Sequence, residues 1–206
     1  MNEKKSFFIR NKKEIYCFAD NVSLCKKLLD AGAKVIQFRN KKIDDSAFQR
    51  VAREMLSLVR RYNNAVLIIN DRVDIALEIN ADGIHIGQED GDYQEIIRRA
   101  PDDMIIGVSV DTPEEAIDAE RAGATYLGAG SAFPTPTKSD AVIIGTDGIR
   151  SVVQAVNIPV VAIGGISIEN IRQVAETGAQ YYAIISGINN AEDISARLNE
   201  LKKYVI

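Results

Sequence analysis

Eight short β-branched runs alternate with longer amphipathic stretches along almost the whole chain, and no other feature limits the fold as strongly. The runs occupy residues 14–18, 34–38, 65–69 and 83–86, then 104–108, 125–128, 158–163 and 180–185. Each reads as a strand buried on both faces, the condition of a parallel sheet. Between them lie helical patterns: residues 46–62 place apolar side chains near a 3.6-residue period, and Pro113 opens 114–122 with acidic residues in its first turn. Gly32, Gly123 and Gly178 each follow a helix end and are each followed by alanine and then a strand, a weak repeat of one βα unit. Eight strands with about eight helices in 206 residues match a single-domain α/β fold, the (β/α)8 TIM barrel, with a doubly wound open sheet as the alternative.

No linker-like or low-complexity segment divides the chain, so residues 14–206 read as one barrel domain. Residues 1–13, with Lys4, Lys5, Arg10, Lys12 and Lys13, read as a solvated N-terminal flank. A net charge of −4 without a dense basic stripe argues against nucleic acid as a partner. No apolar run approaches the roughly 20 residues of a membrane span, so no membrane partner is expected. Cys17 and Cys25 match no common zinc spacing and read as buried thiols of a cytoplasmic protein. The single histidine, His85, excludes multi-histidine metal sites, and no nucleophile elbow offers a place for a serine–histidine triad. Oligomeric state is not fixed, and a homo-oligomer stays open.

In a barrel, the residues that follow the strands converge on one face. Here they are Gln37, Arg39 and Lys41 after the second strand, Asn70 and Asp71 after the third, Gln88 to Asp90 after the fourth, and Ser109 after the fifth. Gly164 and Gly165 follow the seventh strand, and Ser186 and Gly187 the eighth. After the sixth comes Gly128-Ala-Gly-Ser-Ala-Phe-Pro-Thr-Pro-Thr-Lys138, where Pro134 and Pro136 exclude an ordinary helix. That loop is either a rigid turn or a pre-shaped cradle offering the hydroxyls of Thr135 and Thr137 and the Lys138 ammonium to a phosphate or diphosphate. Asp71 and Asp90 are candidate Mg²⁺ ligands, with diphosphate oxygens and waters completing the shell; the competing roles are a helix cap for Asp71 and a solvated loop acid for Asp90. The glycines at 164 and 165 suit a backbone phosphate site, though a tight βα turn would use them as well. His85, among apolar neighbours, reads as a core or supporting residue rather than a catalyst. The start of a dinucleotide fingerprint at Gly128 and Gly130 fails, because its third glycine is missing and Pro134 follows.

With these positions in place, the chain resembles the thiamine phosphate synthase family over nearly its whole length. Six segments carry the likeness in order: Val35-Ile-Gln-Phe-Arg-Asn-Lys41, Leu67-Ile-Ile-Asn-Asp-Arg-Val-Asp74, Ala81-Asp-Gly-Ile-His-Ile-Gly-Gln-Glu-Asp90, Ile106-Gly-Val-Ser109, Phe133-Pro-Thr-Pro-Thr-Lys138 and Val161-Ala-Ile-Gly-Gly-Ile166. The resemblance implies a (β/α)8 transferase that joins hydroxymethylpyrimidine diphosphate to thiazole phosphate and releases diphosphate with Mg²⁺. It implies that Gln37, Arg39, Lys41 and Asn70 contact the pyrimidine diphosphate and that Asp71 and Asp90 bind Mg²⁺. Ser109 and Lys138 would hold the leaving diphosphate, with Ser109, Lys138 and Arg39 as the catalytic set. Thr135 and Thr137 would meet the thiazole phosphate, and Gly165, Ile185 and Ser186 would complete its pocket.

Three departures stand out. Asn40 occupies a position where the family commonly has an acid, which removes a salt bridge from that loop. Asp111 stands where many relatives have histidine, which argues against the related thiazole tautomerase activity. Gly130-Ser-Ala-Phe133 replaces the more usual Gly-Pro-Ile-Phe. A tautomerase-like paralogue and a non-catalytic sensor of thiamine phosphates remain the alternatives at this level.

Overall fold

The structure is a computed structural model that describes residues 3–6, 8, 13–88, 91–137 and 141–204. Eight parallel strands close into a barrel in chain order: β1 (Glu14–Ala19), β2 (Val35–Phe38), β3 (Val66–Asn70), β4 (Gly83–Ile86), β5 (Ile105–Val110), β6 (Tyr126–Ala129), β7 (Val160–Ile163) and β8 (Tyr181–Ile184). The helices are α1 (Glu3–Ser6), α2 (Val22–Asp30), α3 (Asp45–Val59), α4 (Val73–Glu78), α5 (Tyr93–Arg99), α6 (Pro113–Ala122), α7 (Gly145–Ala155), α8 (Ile171–Ala175), α9 (Ser186–Asn189) and α10 (Ile194–Lys202). The open-sheet alternative is excluded because β1 pairs with β8, Glu14 opposite Tyr181 through Cys17 opposite Ile184.

Two apolar layers follow from the strand period of two. Ile15, Cys17, Ile36, Phe38, Leu67 and Ile69 face outward and are covered by helices such as α3, which buries Phe48, Ala52, Met55, Leu56 and Val59 along one stripe. Tyr16, Val35, Val66, Ile68, Ile105, Tyr126, Val161 and Tyr181 form a separate cluster inside the barrel. Phe8, from the flank, joins that cluster and stacks on Tyr126 with ring centroids 4.5 Å apart. Cys17 and Cys25 are free and buried, and burial pushes both thiols up to about 12, which keeps them unreactive.

β3 and β5 run further than the apolar runs suggest. Asn70 and Ser109 lie inside the strands, because ladder pairing continues to Asn70 opposite His85 and Ser109 opposite Gly128. Their side chains are therefore set by the sheet rather than by loops.

The glycine–alanine repeat has a structural meaning at the opposite end of the barrel. Gly32, Asn80, Gly123 and Gly178 all have positive φ, at 83°, 52°, 106° and 90°. After the first three, the next residue donates its N–H five residues back, as Ala33 to Leu28, Ala81 to Ala76 and Ala124 to Ala119, closing a Schellman motif. The alanine is buried in all four cases. A polar residue follows and turns back to the preceding odd strand: Asp82 accepts from the Leu67 N–H at 3.0 Å, Thr125 from Ile106 at 3.0 Å and Gln180 from Val160 at 2.8 Å. Each satisfies a buried donor at the start of β3, β5 or β7 that the ladder leaves open.

Asp82→Ala strands the Leu67 donor inside the fold. It is expected to cost about 1–3 kcal/mol, measured as a lower urea midpoint at unchanged slope.

Candidate active site

Because all eight strands are parallel, their C-terminal ends share one face. Across that face the barrel interior carries a continuous hydrogen-bond chain. Gln37 Nε2 donates to Tyr16 Oη at 2.9 Å, Tyr16 Oη lies 2.8 Å from Tyr126 Oη, and Tyr126 Oη lies 3.0 Å from His85 Nδ1. His85 Nε2 in turn lies 3.0 Å from Ser109 Oγ. Gly107 and Gly128 make room for it. A Cβ at 107 would stand 2.1 Å from Tyr126 Cζ, and one at 128 would stand 2.9 Å from His85 Cε1. His85 thus stands in the middle of the chain, with a hydrogen bond at each ring nitrogen. Burial raises the pKa of both Tyr16 and Tyr126, so each phenol keeps its proton.

Beside this floor, the ends of β2 and β3 frame a polar cleft of about 260 Å³ lined by Asn40, Lys41, Phe48, Asn70, Asp71 and Arg72. Lys41 Nζ lies 3.5 Å from Asp71 Oδ2, with the lysine 63% and the aspartate 24% exposed. Such a wet pair is worth about 0–1 kcal/mol, so little holds the two charges to each other if a ligand competes. Asp71 has φ of 61°, a left-handed conformation that Asp and Asn adopt more readily than other residues with a Cβ. The N-cap position of α4 is occupied by Arg72, whose side chain makes no capping bond. Arg72 is instead a strut: it donates to the carbonyls of Ile43 and Asp44 at 2.8 and 3.2 Å, pairs with Asp45 at 3.1 Å, and lies 4.2 Å from the centre of the Phe48 ring. The guanidinium thereby ties the start of α3 to the cleft.

Asn40 bonds on both sides of its loop. Its Nδ2 donates to the Asp20 carbonyl at 3.0 Å, and its Oδ1 accepts from the Lys42 N–H at 2.9 Å. Arg39 follows β2 directly, half-buried, its backbone N–H held by the Ala19 carbonyl at 3.0 Å.

On the far side, the loop after β6 packs onto the turn after β7. Ala132 and Phe133 donate to the carbonyls of Ile163 and Gly164 at 2.8 and 3.1 Å. Gly164 and Gly165 have φ of 98° and 62°, and a Cβ on Gly165 would meet the Pro134 carbonyl oxygen at 2.6 Å. Thr135 is half-buried and Thr137 exposed; the Thr137 N–H donates to Thr135 Oγ1 at 3.3 Å. Ile185 precedes α9, a single turn that begins at Ser186, whose side chain is exposed. A Cβ on Gly187 would stand 3.4 Å from the Ile166 carbonyl oxygen, so the turns after β7 and β8 adjoin.

Gln37, Lys41, Asn70, Asp71, Ser109, Thr135, Gly165 and Ile185 therefore all stand at or near the C-terminal ends of the strands. Asp90 and Lys138 lie outside the described residues. Among the described residues no group of three or more His, Cys, Asp or Glu side chains could hold a metal by itself. A Mg²⁺ that takes most of its ligands from diphosphate and water needs no such cluster, and the Asp71 carboxylate in its polar cleft suits one hard-oxygen ligand. Sequence reasoning missed Tyr16, Tyr126 and Arg72. The only signal for the tyrosines was a hydroxyl at an inward strand position, and Arg72 carried none beyond its place after Asp71.

Comparison with known proteins adds an independent line. The sequence profile described as thiamine monophosphate synthase matches residues 7–188. Thiamine-phosphate synthase of Pyrococcus furiosus is 42% identical over 202 residues, 96% of this chain and 97% of that one. That of Caldivirga maquilingensis is 46% identical over 178 residues, 86% of each chain. The solved structure of thiamine phosphate pyrophosphorylase from Pyrococcus furiosus superposes with a TM-score of 0.86 at 42% identity, covering 95% of this chain and 96% of that one.

A pair of alanine substitutions separates backbone conformation from loop contact at the turn after β7. Gly145 has φ of 69° and open space around it, whereas Gly165 has a similar φ and the Pro134 loop against it. Gly145→Ala is expected to cost only the left-handed penalty of about 1–2 kcal/mol. Gly165→Ala is expected to cost measurably more in the same urea titration, because the Phe133–Pro134 backbone must shift.

Proposed function

The chain belongs to the thiamine monophosphate synthase family, and on that premise we propose how its residues divide the work of the reaction. The activity is thiamine phosphate synthesis, a transfer between two small molecules. We assign hydroxymethylpyrimidine diphosphate and thiazole phosphate as the substrates and diphosphate as the leaving group. The observation that carries the assignment is the polar cleft of Lys41, Asn70 and Asp71 beside the hydrogen-bonded floor that ends at Ser109.

The chemistry is a dissociative substitution. The bond from the pyrimidine methylene carbon to the diphosphate oxygen breaks, the electron pair leaves with diphosphate, and the amino-pyrimidine stabilises the resulting cation. The thiazole nitrogen then supplies the pair that forms the new carbon–nitrogen bond. Such a step asks for charge stabilisation and orientation rather than a strong base. Gln37 and Asn70 orient the pyrimidine diphosphate, Arg39 and Lys41 neutralise its phosphates, and Ser109 and Lys138 hold the departing diphosphate. Thr135 and Thr137 face the thiazole phosphate, with Gly165, Ile185 and Ser186 around its oxygens. Asp71 and Asp90 would hold Mg²⁺, which when bound supplies further neutralisation of the leaving diphosphate. The two free, buried thiols suit a reducing cytoplasm.

Purified protein is expected to form thiamine phosphate from the two substrates only when Mg²⁺ is present. No product at saturating substrate would sink the assignment of substrates. Lys138→Ala should lower kcat by roughly 10²-fold or more, as loss of one group that stabilises developing charge does. A wild-type rate in steady-state assays would remove Lys138 from the mechanism, and an unchanged Mg²⁺ requirement in Asp90→Asn would remove Asp90 from the metal site.

A further inference from the structure

We propose that the chain from Gln37 to Ser109 runs one way, and that its direction makes Ser109 a hydrogen-bond donor toward the ligand, with Tyr16, Tyr126 and His85 as positioning residues. The proposal rests on the reading of Ser109 as a contact to the leaving diphosphate.

The direction follows from the orientation of the Gln37 amide and a count of protons. Gln37 Nε2 has only hydrogens to offer, so Tyr16 Oη, 2.9 Å away, accepts. The single Tyr16 proton then goes to Tyr126 Oη at 2.8 Å. The Tyr126 proton goes in turn to His85 Nδ1 at 3.0 Å. Nδ1 is thus an acceptor, the imidazole proton sits on Nε2, and Nε2 donates to Ser109 Oγ at 3.0 Å. The Ser109 hydroxyl keeps its own proton for an oxyanion. Both phenols hold their protons because burial raises their pKa, so the count does not leak.

Of the other two arrangements, the first also closes but presents the wrong polarity to an anion, and only the second fails on the count. With the amide of Gln37 turned over, every bond reverses and Ser109 must give its proton to His85, leaving only lone pairs toward an anion. With a charged imidazolium, Tyr126 accepts from Nδ1 and gives its proton to Tyr16, whose own proton then faces a Gln37 donor. The amide orientation at one end therefore sets the polarity of the hydroxyl at the other. A pyrimidine amino group donating to Gln37 Oε1 would lock the productive orientation, so recognition of the base prepares the contact to its diphosphate.

His85 is the chain's only histidine, so its ring nitrogens give unambiguous signals in long-range ¹H–¹⁵N correlation spectra of histidine-labelled protein. In mildly alkaline buffer without substrate, Nε2 is expected to carry the proton and Nδ1 to be the unprotonated acceptor. A proton on Nδ1, or on both nitrogens, overturns the proposal. Tyr126→Phe keeps the ring that stacks on Phe8 and removes the hydroxyl. It should lower kcat about 10–100-fold, the range for losing a partner that orients a reacting group, while KM for the pyrimidine diphosphate changes little. Adding Tyr16→Phe to that variant should cause no further loss, because the chain is already cut. A wild-type kcat in folded Tyr126→Phe, or fully additive losses, also overturns it. Failure of the unsubstituted protein to make thiamine phosphate would instead defeat the reading of the reaction, while the tautomer measurement still decides the direction of the chain.

Discussion

Pairing of β1 with β8 is the constraint from which the site follows. Open, a parallel sheet of eight strands would expose two edges, and its loops would lie along a line. Closed, with Glu14 beside Tyr181 and Cys17 beside Ile184, it brings the ends of β2, β3 and β5 round to face those of β6, β7 and β8. A polar cleft and a glycine-lined turn from distant parts of the sequence then stand on the same face of the barrel. The opposite rim carries the turns that hold the closure, in which Asp82, Thr125 and Gln180 each satisfy a buried strand donor. Stability and chemistry are thus assigned to opposite ends of the same strands.

The barrel interior is unusual in what it spends on polar groups. Three side-chain hydroxyls, an amide and an imidazole form a connected set where Val, Ile and Leu would pack more cheaply. Such a set is tolerated because its members satisfy one another; a single missing partner would leave a buried group at a cost of about 1–3 kcal/mol. What the connection adds is orientation. Gln37 and Ser109 are on β2 and β5, too far apart in the ladder to touch, yet the tyrosines and His85 hold both in register. For the dissociative substitution proposed above, donors fixed beforehand are more useful than a strong base.

Much of the fold was legible because parallel strands buried on both faces are the easiest elements to read: unbroken apolar runs ended by glycine or a polar residue. The ends of β3 and β5 were less so, since Asn70 and Ser109 look like loop residues until their ladder partners are known. The glycine–alanine repeat was visible, but its third member, the polar side chain that reaches back to the previous odd strand, was not, because that contact joins different elements. The same holds within the site. Asn70, Asp71 and Ser109 announce themselves by chemistry and position, whereas Tyr16 and Tyr126 hide in apolar runs and matter only through each other. Phe8, in a flank read from its lysines and arginines, gave no hint of the aromatic stack it enters.

The loop after β6 and the turn after β7 show why the site tolerates departures from the family pattern. Gly130-Ser-Ala-Phe133 differs from the usual segment, yet Ser131 is buried, its hydroxyl donates to the Phe133 carbonyl at 2.7 Å, and its backbone is bonded to Val142 and Ile144. A Cβ on Gly164 would stand 1.9 Å from Ser131 Oγ, so the serine fills the space that the glycine leaves. Asn40 is a second case: its amide makes two hydrogen bonds, to the Asp20 carbonyl and from the Lys42 N–H, that secure the loop without an ion pair. In both places side-chain hydrogen bonds to backbone groups fix the loop. The loops can therefore vary as long as the peptide groups and hydroxyls facing the cavity keep their positions, which the closed barrel beneath them enforces.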